Sequence, residues 1–191
     1  IYDTLGEEAT QFIFEQTRVR ACFVTANHVQ KLYNAKMQGK CKDLRVLVIL
    51  DPENYDKTCG VEHNDAFTVL SFDEIAAAGR KAPRAWASVA PSDPYCISYT
   101  SGTTAIPKGA VITHRNIISI FTAVRQRFTL KSSDVHLSYL PLAHVFERAA
   151  FKLFLAEDVK IGVFNGEVLK VKEDLALLKP TIFISVPRLF N

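Results

Sequence analysis

An unbroken apolar run at residues 46–50 is the feature that most constrains the fold of this chain. The run reads Val-Leu-Val-Ile-Leu and ends at Asp51-Pro52. A strand with one solvated face alternates apolar and polar residues, whereas a continuous run is typical of a parallel strand covered on both faces. Parallel strands need crossover connections, which are usually helices. The run therefore predicts an α/β fold.

The residues before this run supply further helix and strand signals. Thr4 and Glu7 have the spacing of a capping box ahead of a helix, and residues 21–25 are typical of a short strand. Asn27 is predicted to cap a second helix, which Gly39 ends. Helix, strand, helix and strand in alternation are the successive units of an α/β architecture.

The same alternation continues to the end of the chain. Strands are predicted near residues 67–70, 135–140, 159–164 and 181–186, and helices are predicted to begin at a Ser71–Glu74 capping box, at Thr113, near Phe146 and at Val168. The fold class that these elements indicate is α/β, with parallel-rich layered sheets and flanking helices.

Composition and charge narrow the classes of function. The chain has 191 residues, of which 48% are hydrophobic and 23% are charged, as expected for a globular protein with a core. Its length predicts one domain or two small lobes. A net charge of +3, with both signs interspersed, does not favour nucleic acid as a partner. No run approaches the roughly 18 apolar residues of a membrane span.

Cysteine usage and the first residue carry two further expectations. Cys22, Cys41, Cys59 and Cys96 are widely spaced and contain no Cys-x-x-Cys pair, which favours buried reduced thiols over a zinc site or a disulfide framework. The chain begins at Ile1 rather than at methionine, which favours its interpretation as an excerpt of a longer protein.

Residues 99–109 have the composition of a phosphate-binding loop. They read Tyr-Thr-Ser-Gly-Thr-Thr-Ala-Ile-Pro-Lys-Gly and lie between two apolar-leaning runs. Hydroxyls donate hydrogen bonds without adding charge, Gly102 lets the main chain approach a ligand, and Lys108 is a mobile point charge suited to phosphate oxygens. The order is not that of a Walker A loop, because Lys108 is followed by Gly109. A polar hairpin loop without a ligand has similar composition.

A histidine marks a second candidate position. His144 lies where a predicted strand ends and a predicted helix begins, in the segment Pro-Leu-Ala-His-Val-Phe-Glu-Arg at residues 141–148. That position suits a ligand-facing histidine. A structural hydrogen bond at the start of a helix is the alternative interpretation.

Both segments resemble signatures of the adenylate-forming superfamily. Residues 99–109 resemble its phosphate loop, which usually reads Tyr-Thr-Ser-Gly-Thr-Thr-Gly-x-Pro-Lys-Gly, so Ala105 stands where the superfamily has glycine. Residues 138–148 resemble the second signature of long-chain fatty acyl-CoA synthetases, and residues 2–6, 178–183 and 186–191 agree with that branch. Residues 155–158 depart from it, because the branch usually has a glycine-containing turn there.

The resemblance implies a fold and a reaction. The chain would form part of the large N-terminal domain, so residues 1–191 are expected to be a partial AMP-binding (adenylation) domain without the C-terminal lid domain. A fatty acid and MgATP would give an acyl-adenylate and pyrophosphate, and coenzyme A would then displace AMP to form the thioester. ATP, Mg²⁺ and coenzyme A are the implied cofactor and co-substrates, and a long-chain fatty acid is the implied substrate.

The resemblance also assigns residues to these roles. His144 would lie beside the carboxylate or the acyl-adenylate as a catalytic residue, and Phe146 and Arg148 would face the acyl tunnel. Thr104 would support Mg²⁺. The residues expected around the ATP phosphates are Thr100, Ser101, Gly102, Thr103, Thr104, Ala105, Pro107, Lys108 and Gly109.

Two alternatives stay open. The chain could belong to another acyl- or aryl-CoA ligase, or to a non-catalytic nucleotide- or acyl-binding relative in which Ala105 marks a decayed phosphate loop. Because the adenine, ribose and lid motifs of the superfamily lie downstream, the isolated chain is expected to be inactive. The resemblance places the parent protein inside the cell, peripheral on the cytoplasmic face of the endoplasmic reticulum, mitochondria or peroxisomes, and leaves its oligomeric state open.

Overall fold

The structure is a computed structural model that describes residues 5–55, 66–100 and 107–190. These residues divide into two compact units. The first unit contains residues 5–55, 66–88 and Pro107, and the second contains residues 89–100 and 108–190. Both units combine helices with parallel strand pairs, which confirms the predicted α/β class.

The first unit is a parallel sheet with helical connections. The sheet has the strand order β1–β2–β3, and Ala21, Val46 and Thr68 begin the three strands in register. The elements of this unit are α1 (Glu7–Thr17), β1 (Ala21–Val24), α2 (Ala26–Met37), β2 (Val46–Ile49), β3 (Thr68–Ser71) and α3 (Phe72–Lys81).

Strand β2 is the centre of this sheet, as the apolar run predicts. Leu47, Val48 and Ile49 are all buried, so both faces of the strand are covered. The cluster around β2 takes residues from α1, from α2 and from the turn before the strand, among them Phe14, Val29, Leu32 and Leu44.

The helix caps of the first unit follow the predictions in part. Ser71 and Glu74 form the predicted capping box of α3, and Gly39 adopts φ +78° just beyond α2. The Asn27 cap is wrong, since α2 begins at Ala26 with Thr25 as its N-cap. The carboxylate of Asp51, just beyond β2, accepts the N–H of Ala26, the first residue of α2, at 2.7 Å and so satisfies one of the orphan donors of this helix.

Two other boundaries also differ. Helix α1 has Gly6 as its N-cap, so the Thr4–Glu7 capping box is wrong; Thr4 itself lies outside the described residues. Helix α3, which the sequence predicts to end at Gly79, continues two residues further, to Lys81.

The thiols that the structure describes are free. Cys41 is buried, and Cys22 and Cys96 are half-buried; Cys59 lies outside the described ranges. Burial raises the pKa of the Cys22 and Cys41 thiols, which keeps them protonated at neutral pH. Of the three, Cys41 matches the expectation of a buried thiol, whereas Cys22 and Cys96 are only partly covered.

The second unit combines an antiparallel hairpin with a parallel strand pair. Strands β4 and β5 form the hairpin, and β6 pairs in parallel with β7. Its elements are β4 (Pro94–Thr100), β5 (Lys108–Thr113), α4 (His114–Arg127), β6 (Val135–Ser138), α5 (Val145–Ala156), β7 (Lys160–Val163), a 3₁₀ turn (Val168–Lys170), α6 (Val171–Leu178) and α7 (Pro187–Phe190).

The predicted strand at residues 181–186 is wrong. This segment makes a single bridge, from Ile182 to His136, among the described residues. The N–H groups of Thr181 and Ile182 both donate to the carbonyl of Val135, at 2.9 and 3.0 Å. These two bonds hold the start of the segment beside β6, and residues 183–186 add no ladder pairing among the described residues.

Helix α5 ends in a left-handed residue. Asp158 has φ +56°, and the N–H of Val159 donates to the carbonyl of Phe154 at 3.0 Å, as in a Schellman cap. This is the turn at residues 155–158 where the long-chain branch that the sequence resembles usually has glycine, the residue that adopts such a conformation without strain. Aspartate is one of the few other residues that tolerate it.

Candidate functional site

The β4–β5 hairpin carries the predicted phosphate loop. Thr100 at the end of β4 pairs with Lys108 at the start of β5. Thr100, Lys108 and Gly109 are exposed, and Pro107 is buried. The residues expected to contact phosphate between these strand ends lie outside the described residues: Ser101, Gly102, Thr103, Thr104 and Ala105.

A close contact explains Gly109 at the base of the loop. Gly109 faces Tyr99 across the hairpin, and a Cβ on Gly109 would lie 3.0 Å from both Tyr99 Cζ and Ile97 Cγ2. A side chain at this position would therefore displace the tyrosine ring or the isoleucine. Partial burial raises the pKa of the Tyr99 phenol, so the ring stays neutral at physiological pH.

Helix α4 begins directly after β5. Thr113 is its N-cap, as predicted, and its hydroxyl accepts the Asn116 N–H at 3.3 Å. Asn116 completes the capping box, because its side-chain oxygen accepts the Thr113 N–H at 2.9 Å. The usual capping-box pattern has glutamate or glutamine at this position, which is why the sequence did not reveal Asn116.

A hydrophobic cluster links the loop-bearing hairpin to helix α5. It takes residues from both strands of the hairpin, from one face of α4 and from the inner face of α5: Tyr95, Ile112, Ile117, Phe121, Ala149 and Leu153. Because such packing is rigid, the hairpin and the start of α5 belong to one scaffold within the second unit.

His144 is the N-cap of α5. Its side chain is exposed, and Nδ1 accepts the backbone N–H of Phe146 at 3.2 Å. An accepting Nδ1 carries no proton, so in this arrangement the neutral imidazole has its proton on Nε2. The structural hydrogen bond anticipated for this histidine is therefore present, and it leaves Nε2–H as a donor.

The other predicted acyl-site residues lie on the first turn of the same helix. Phe146 is half-exposed. The Nε of Arg148 donates to the carbonyl of Leu142 at 2.8 Å, which turns the guanidinium back toward the loop before α5. This bond ties the Leu142–His144 loop to the helix. Contact of either side chain with an acyl chain remains a prediction.

A buried polar cluster behind His144 was not anticipated. Ser138 and Glu147 are buried, and the Ser138 hydroxyl donates to Glu147 Oε1 at 2.6 Å. His136 is also buried; its Nε2 lies 3.5 Å from the same oxygen, and its ring packs against Phe154. One sequence signal was available, since Glu147 has helical spacing with buried Ala150 and Phe154, and a charge within an apolar stripe indicates a buried charge.

Two features are absent from the part of the chain that the structure describes: a cluster of metal-ligating side chains and a membrane-spanning helix. Within it, no three His, Cys, Asp or Glu side chains converge on one metal position, and the predicted Mg²⁺ residue Thr104 lies outside it. None of its helices combines the length and apolar character needed to cross a membrane.

Sequence relatives place this geometry in a family. Residues 1–191 match the family described as AMP-binding enzyme. The chain is 37% identical to long chain acyl-CoA synthetase 6, peroxisomal, from Arabidopsis thaliana, and 35% identical to long-chain-fatty-acid–CoA ligase 1 from Homo sapiens. Both alignments cover 100% of this chain. They cover 27% and 28% of those proteins, so the chain spans about a quarter of the length of these curated relatives.

Solved structures agree on the fold. The adenylation domain of the carboxylate reductase from Mycobacterium chelonae matches with a TM-score of 0.76 at 18% identity, covering 97% of this chain and 30% of that one. The A-PCP didomain of carboxylic acid reductase from Segniliparus rugosus, in complex with AMP, matches with a TM-score of 0.77 at 22% identity, covering 97% and 28%. By its full-length family match and by its fold, this chain belongs to the AMP-binding enzyme family.

Proposed function

We propose that this chain supplies the ATP-phosphate loop and part of the acyl site of an enzyme that activates long-chain fatty acids to acyl-CoA. The observation that carries the proposal is the β4–β5 hairpin, whose facing ends Thr100 and Lys108 bracket the superfamily's phosphate-loop string. The names of the curated relatives, long-chain acyl-CoA synthetases and ligases, support fatty acids as the substrate class.

The first half-reaction makes the acyl-adenylate. A carboxylate oxygen of the fatty acid attacks the α-phosphorus of ATP, a P–O bond breaks, and pyrophosphate leaves with the bonding electrons. Ser101, Thr103 and Thr104 would donate to the β- and γ-phosphate oxygens, and Gly102 would let the backbone approach them. Lys108, which is exposed on β5, would place its ammonium group there. Donors fixed before the reaction stabilise the charge that develops on the leaving group.

His144 would act on the other reactant. With Nδ1 occupied by the Phe146 N–H, the Nε2–H group is free to donate to a carboxylate oxygen of the fatty acid. This hydrogen bond would orient the carboxylate toward the α-phosphorus. Phe146 and Arg148, in the first turn of α5, would line the entrance of the acyl chain.

The remaining parts of the proposal rest on the family alone. Mg²⁺ would neutralise charge on the phosphates of ATP when bound, with Thr104 as its supporting hydroxyl. In the second half-reaction the thiol of coenzyme A would attack the acyl carbon, and AMP would leave. Residues 1–191 would be a partial adenylation domain that needs the rest of the protein, including a C-terminal lid, so the isolated chain should not turn over.

We also propose a cellular location for the whole protein. Long chain acyl-CoA synthetases 6 and 7 of Arabidopsis thaliana are named as peroxisomal. We place the whole protein inside the cell, with peripheral attachment to the cytoplasmic face of a peroxisomal, mitochondrial or endoplasmic reticulum membrane.

A substrate panel tests the proposal. The whole protein would be assayed for thioester formation from ATP, coenzyme A and either a long-chain fatty acid or an aryl acid such as a coumarate. Activity restricted to the long-chain acid is the expected result, whereas preference for the aryl acid or absence of activity with every acid would contradict it. Lys108→Met should lower kcat by about 10²–10³-fold, as loss of a preorganised donor does. Lys152→Met, at an exposed lysine of α5, is the matched control and should keep full activity.

A further inference from the structure

The buried cluster behind His144 contains polar side chains that the proposed reaction does not use. In the described part of the chain, the buried polar or charged side chains are His136, Ser138 and Glu147, and His136 and Glu147 are fully buried. His136 and Ser138 lie on one face of β6, and Glu147 lies in the first turn of α5. The cluster therefore joins the strand before the His144 loop to the helix after it.

The hydrogen-bond partners fix where protons reside in the cluster. The Nδ1 of His136 lies 3.2 Å from the carbonyl oxygen of Ile182, which can only accept, so Nδ1 carries a proton. The Nε2 of the same ring faces Glu147 Oε1 at 3.5 Å. A neutral imidazole with this tautomer and an ionised carboxylate would present two acceptors to each other. The Ile182 carbonyl therefore orients the ring so that Nε2 faces the Glu147 carboxyl group.

The Ser138 hydroxyl is the remaining partner of the carboxyl group. It donates to Glu147 Oε1, and in the described ranges neither Glu147 Oε2 nor His136 Nε2 has a hydrogen-bond partner. A buried carboxyl group with few partners is destabilised strongly when one partner is lost. The Ser138–Glu147 bond is therefore a strong constraint on the distance between β6 and α5.

This constraint closes the loop that carries His144. Ser138 is the last residue of β6, and Glu147 is the third residue of α5, directly beyond the N-cap His144. The His144 N–H donates to the Pro141 carbonyl at 2.9 Å, so the loop is also tied internally. Because both ends of the short 139–144 segment are fixed, the direction of the imidazole depends on the buried bond.

We infer that Glu147 is a positioning residue for His144, acting through its buried hydrogen bond to Ser138 and its contact with His136. The inference rests on the proposed function for its catalytic consequence. Its structural consequence, order in residues 139–148, can be measured without any turnover.

Three variants of the whole protein separate the contribution of the Glu147 acceptor from that of the Ser138 donor. Glu147→Gln keeps the shape of the side chain and an oxygen that accepts from Ser138, so it is the conservative rescue variant. Glu147→Met keeps a similar volume but removes the acceptor. Ser138→Ala removes the donor from the strand side. Glu147→Met and Ser138→Ala should act alike, and Glu147→Gln should resemble the wild type.

Hydrogen–deuterium exchange gives the readout that needs no activity. Peptides covering residues 139–148 should exchange faster in Glu147→Met and in Ser138→Ala than in the wild type and in Glu147→Gln. Peptides from the first unit, such as those covering β2, should be unchanged. Unchanged exchange of residues 139–148 in Glu147→Met would overturn the inference, whatever the activity.

Enzyme kinetics test whether Glu147 affects turnover by positioning His144. For folded enzyme, kcat in Glu147→Met should fall by up to about a hundredfold, as expected when a reacting group is misplaced, with little change in KM for ATP. In a His144→Asn background the same substitution should cause no further fall. An unchanged kcat in Glu147→Met, or two losses that multiply in the double variant, would overturn the inference. A wild type without fatty-acid-dependent activity would instead reject the proposed function, and the exchange experiment would still decide the positioning claim.

Discussion

Tyr99 and Gly109 occupy facing positions at the base of the proposed phosphate loop, and the tyrosine ring fills the space that a side chain on Gly109 would need. A Cβ at residue 109 would approach Tyr99 Cζ to 3.0 Å. Packing against Tyr99 therefore favours glycine at the last position of the Pro-Lys-Gly string on β5. This position directly follows Lys108, the lysine that the proposal assigns to phosphate.

A substitution at Gly109 should be less costly when the Tyr99 ring is absent. Gly109→Ala is expected to destabilise the protein by about 1–3 kcal/mol, the usual range for overpacking, and to lower the rate of adenylation. In a Tyr99→Ala background the same change should cost less, because only the contact with Ile97 Cγ2 at 3.0 Å remains. Chemical denaturation and pyrophosphate release would be measured for both single variants and for the double variant. Equal cost of Gly109→Ala in both backgrounds would contradict the contact.

Two substitutions at His144 should separate its capping role from its chemical role. Asparagine is a good N-cap residue, so His144→Asn should keep the stability of α5, whereas His144→Ala should lose about 0.5–2 kcal/mol. Both variants lack the Nε2–H donor, so both should lose about ten- to a hundredfold in kcat, the equivalent of one hydrogen bond to a charged group.

The separation of the two roles is checked by measuring unfolding midpoints and fatty-acid-dependent rates for both His144 variants. Full activity in His144→Asn would remove the histidine from the proposed acyl site and leave it only its hydrogen bond to Phe146.

The carboxylate of Asp134 should make the second unit sensitive to acid. The Lys131 N–H and the Thr181 hydroxyl, each 2.8 Å from the carboxylate, lower its pKa below the ordinary value. Since the folded pKa is the lower one, this stabilisation is fully present above the unfolded pKa of about 3.9 and is lost as pH falls through the folded pKa. Asp134→Asn should therefore be less stable than the wild type at pH 6, and the difference should shrink below pH ~4.

Urea unfolding of both proteins at pH 6 and at pH 3 measures that difference. Thr181→Val removes one of the two hydrogen-bond donors to Asp134. It should therefore narrow the pH range over which the stability falls. A stability difference that does not change with pH would contradict the assigned hydrogen bonds.

Two glycine-to-alanine substitutions should have opposite signs. A Cβ on Gly162 in β7 would lie 2.5 Å from Leu178 Cδ2, so Gly162→Ala should cost about 1–3 kcal/mol. Gly79 lies inside α3 with nothing within 4 Å of a Cβ, so Gly79→Ala should stabilise by about 0.5–1 kcal/mol. Thermal unfolding checks both variants. Loss of stability in Gly79→Ala would show that helix propensity does not decide that position.

Local signals in the sequence predicted those elements whose partners are close along the chain. The apolar run of β2, the Ser71–Glu74 capping box and the Thr113 cap were all confirmed, because each depends on a residue type within a few positions. The Asn27 cap was wrong because α2 begins one residue earlier, at Ala26, whose N–H donates to the carboxylate of Asp51, 25 residues further along the chain.

Contacts between residues that are distant along the chain explain the segment and the buried residue that local signals did not predict. The segment at 181–186 is apolar enough for a strand, but in the part of the chain that the structure describes it pairs only at the single bridge between Ile182 and His136. His144 was predicted from its motif and from its place at a helix start. Glu147 belongs to the same motif and was overlooked, because its burial depends on Ser138 and His136 in the preceding strand.

Fatty-acid-dependent ATP–pyrophosphate exchange by the whole protein, measured beside its Ala105→Gly variant, tests the central claim most directly. Exchange isolates the half-reaction assigned to residues 100–109. The account predicts exchange with long-chain acids in the wild type, little changed or modestly raised by glycine at residue 105. Exchange only in the glycine variant would mean an adenylation scaffold disabled at one residue. No exchange in either protein would contradict the account and favour a non-catalytic nucleotide- or acyl-binding relative.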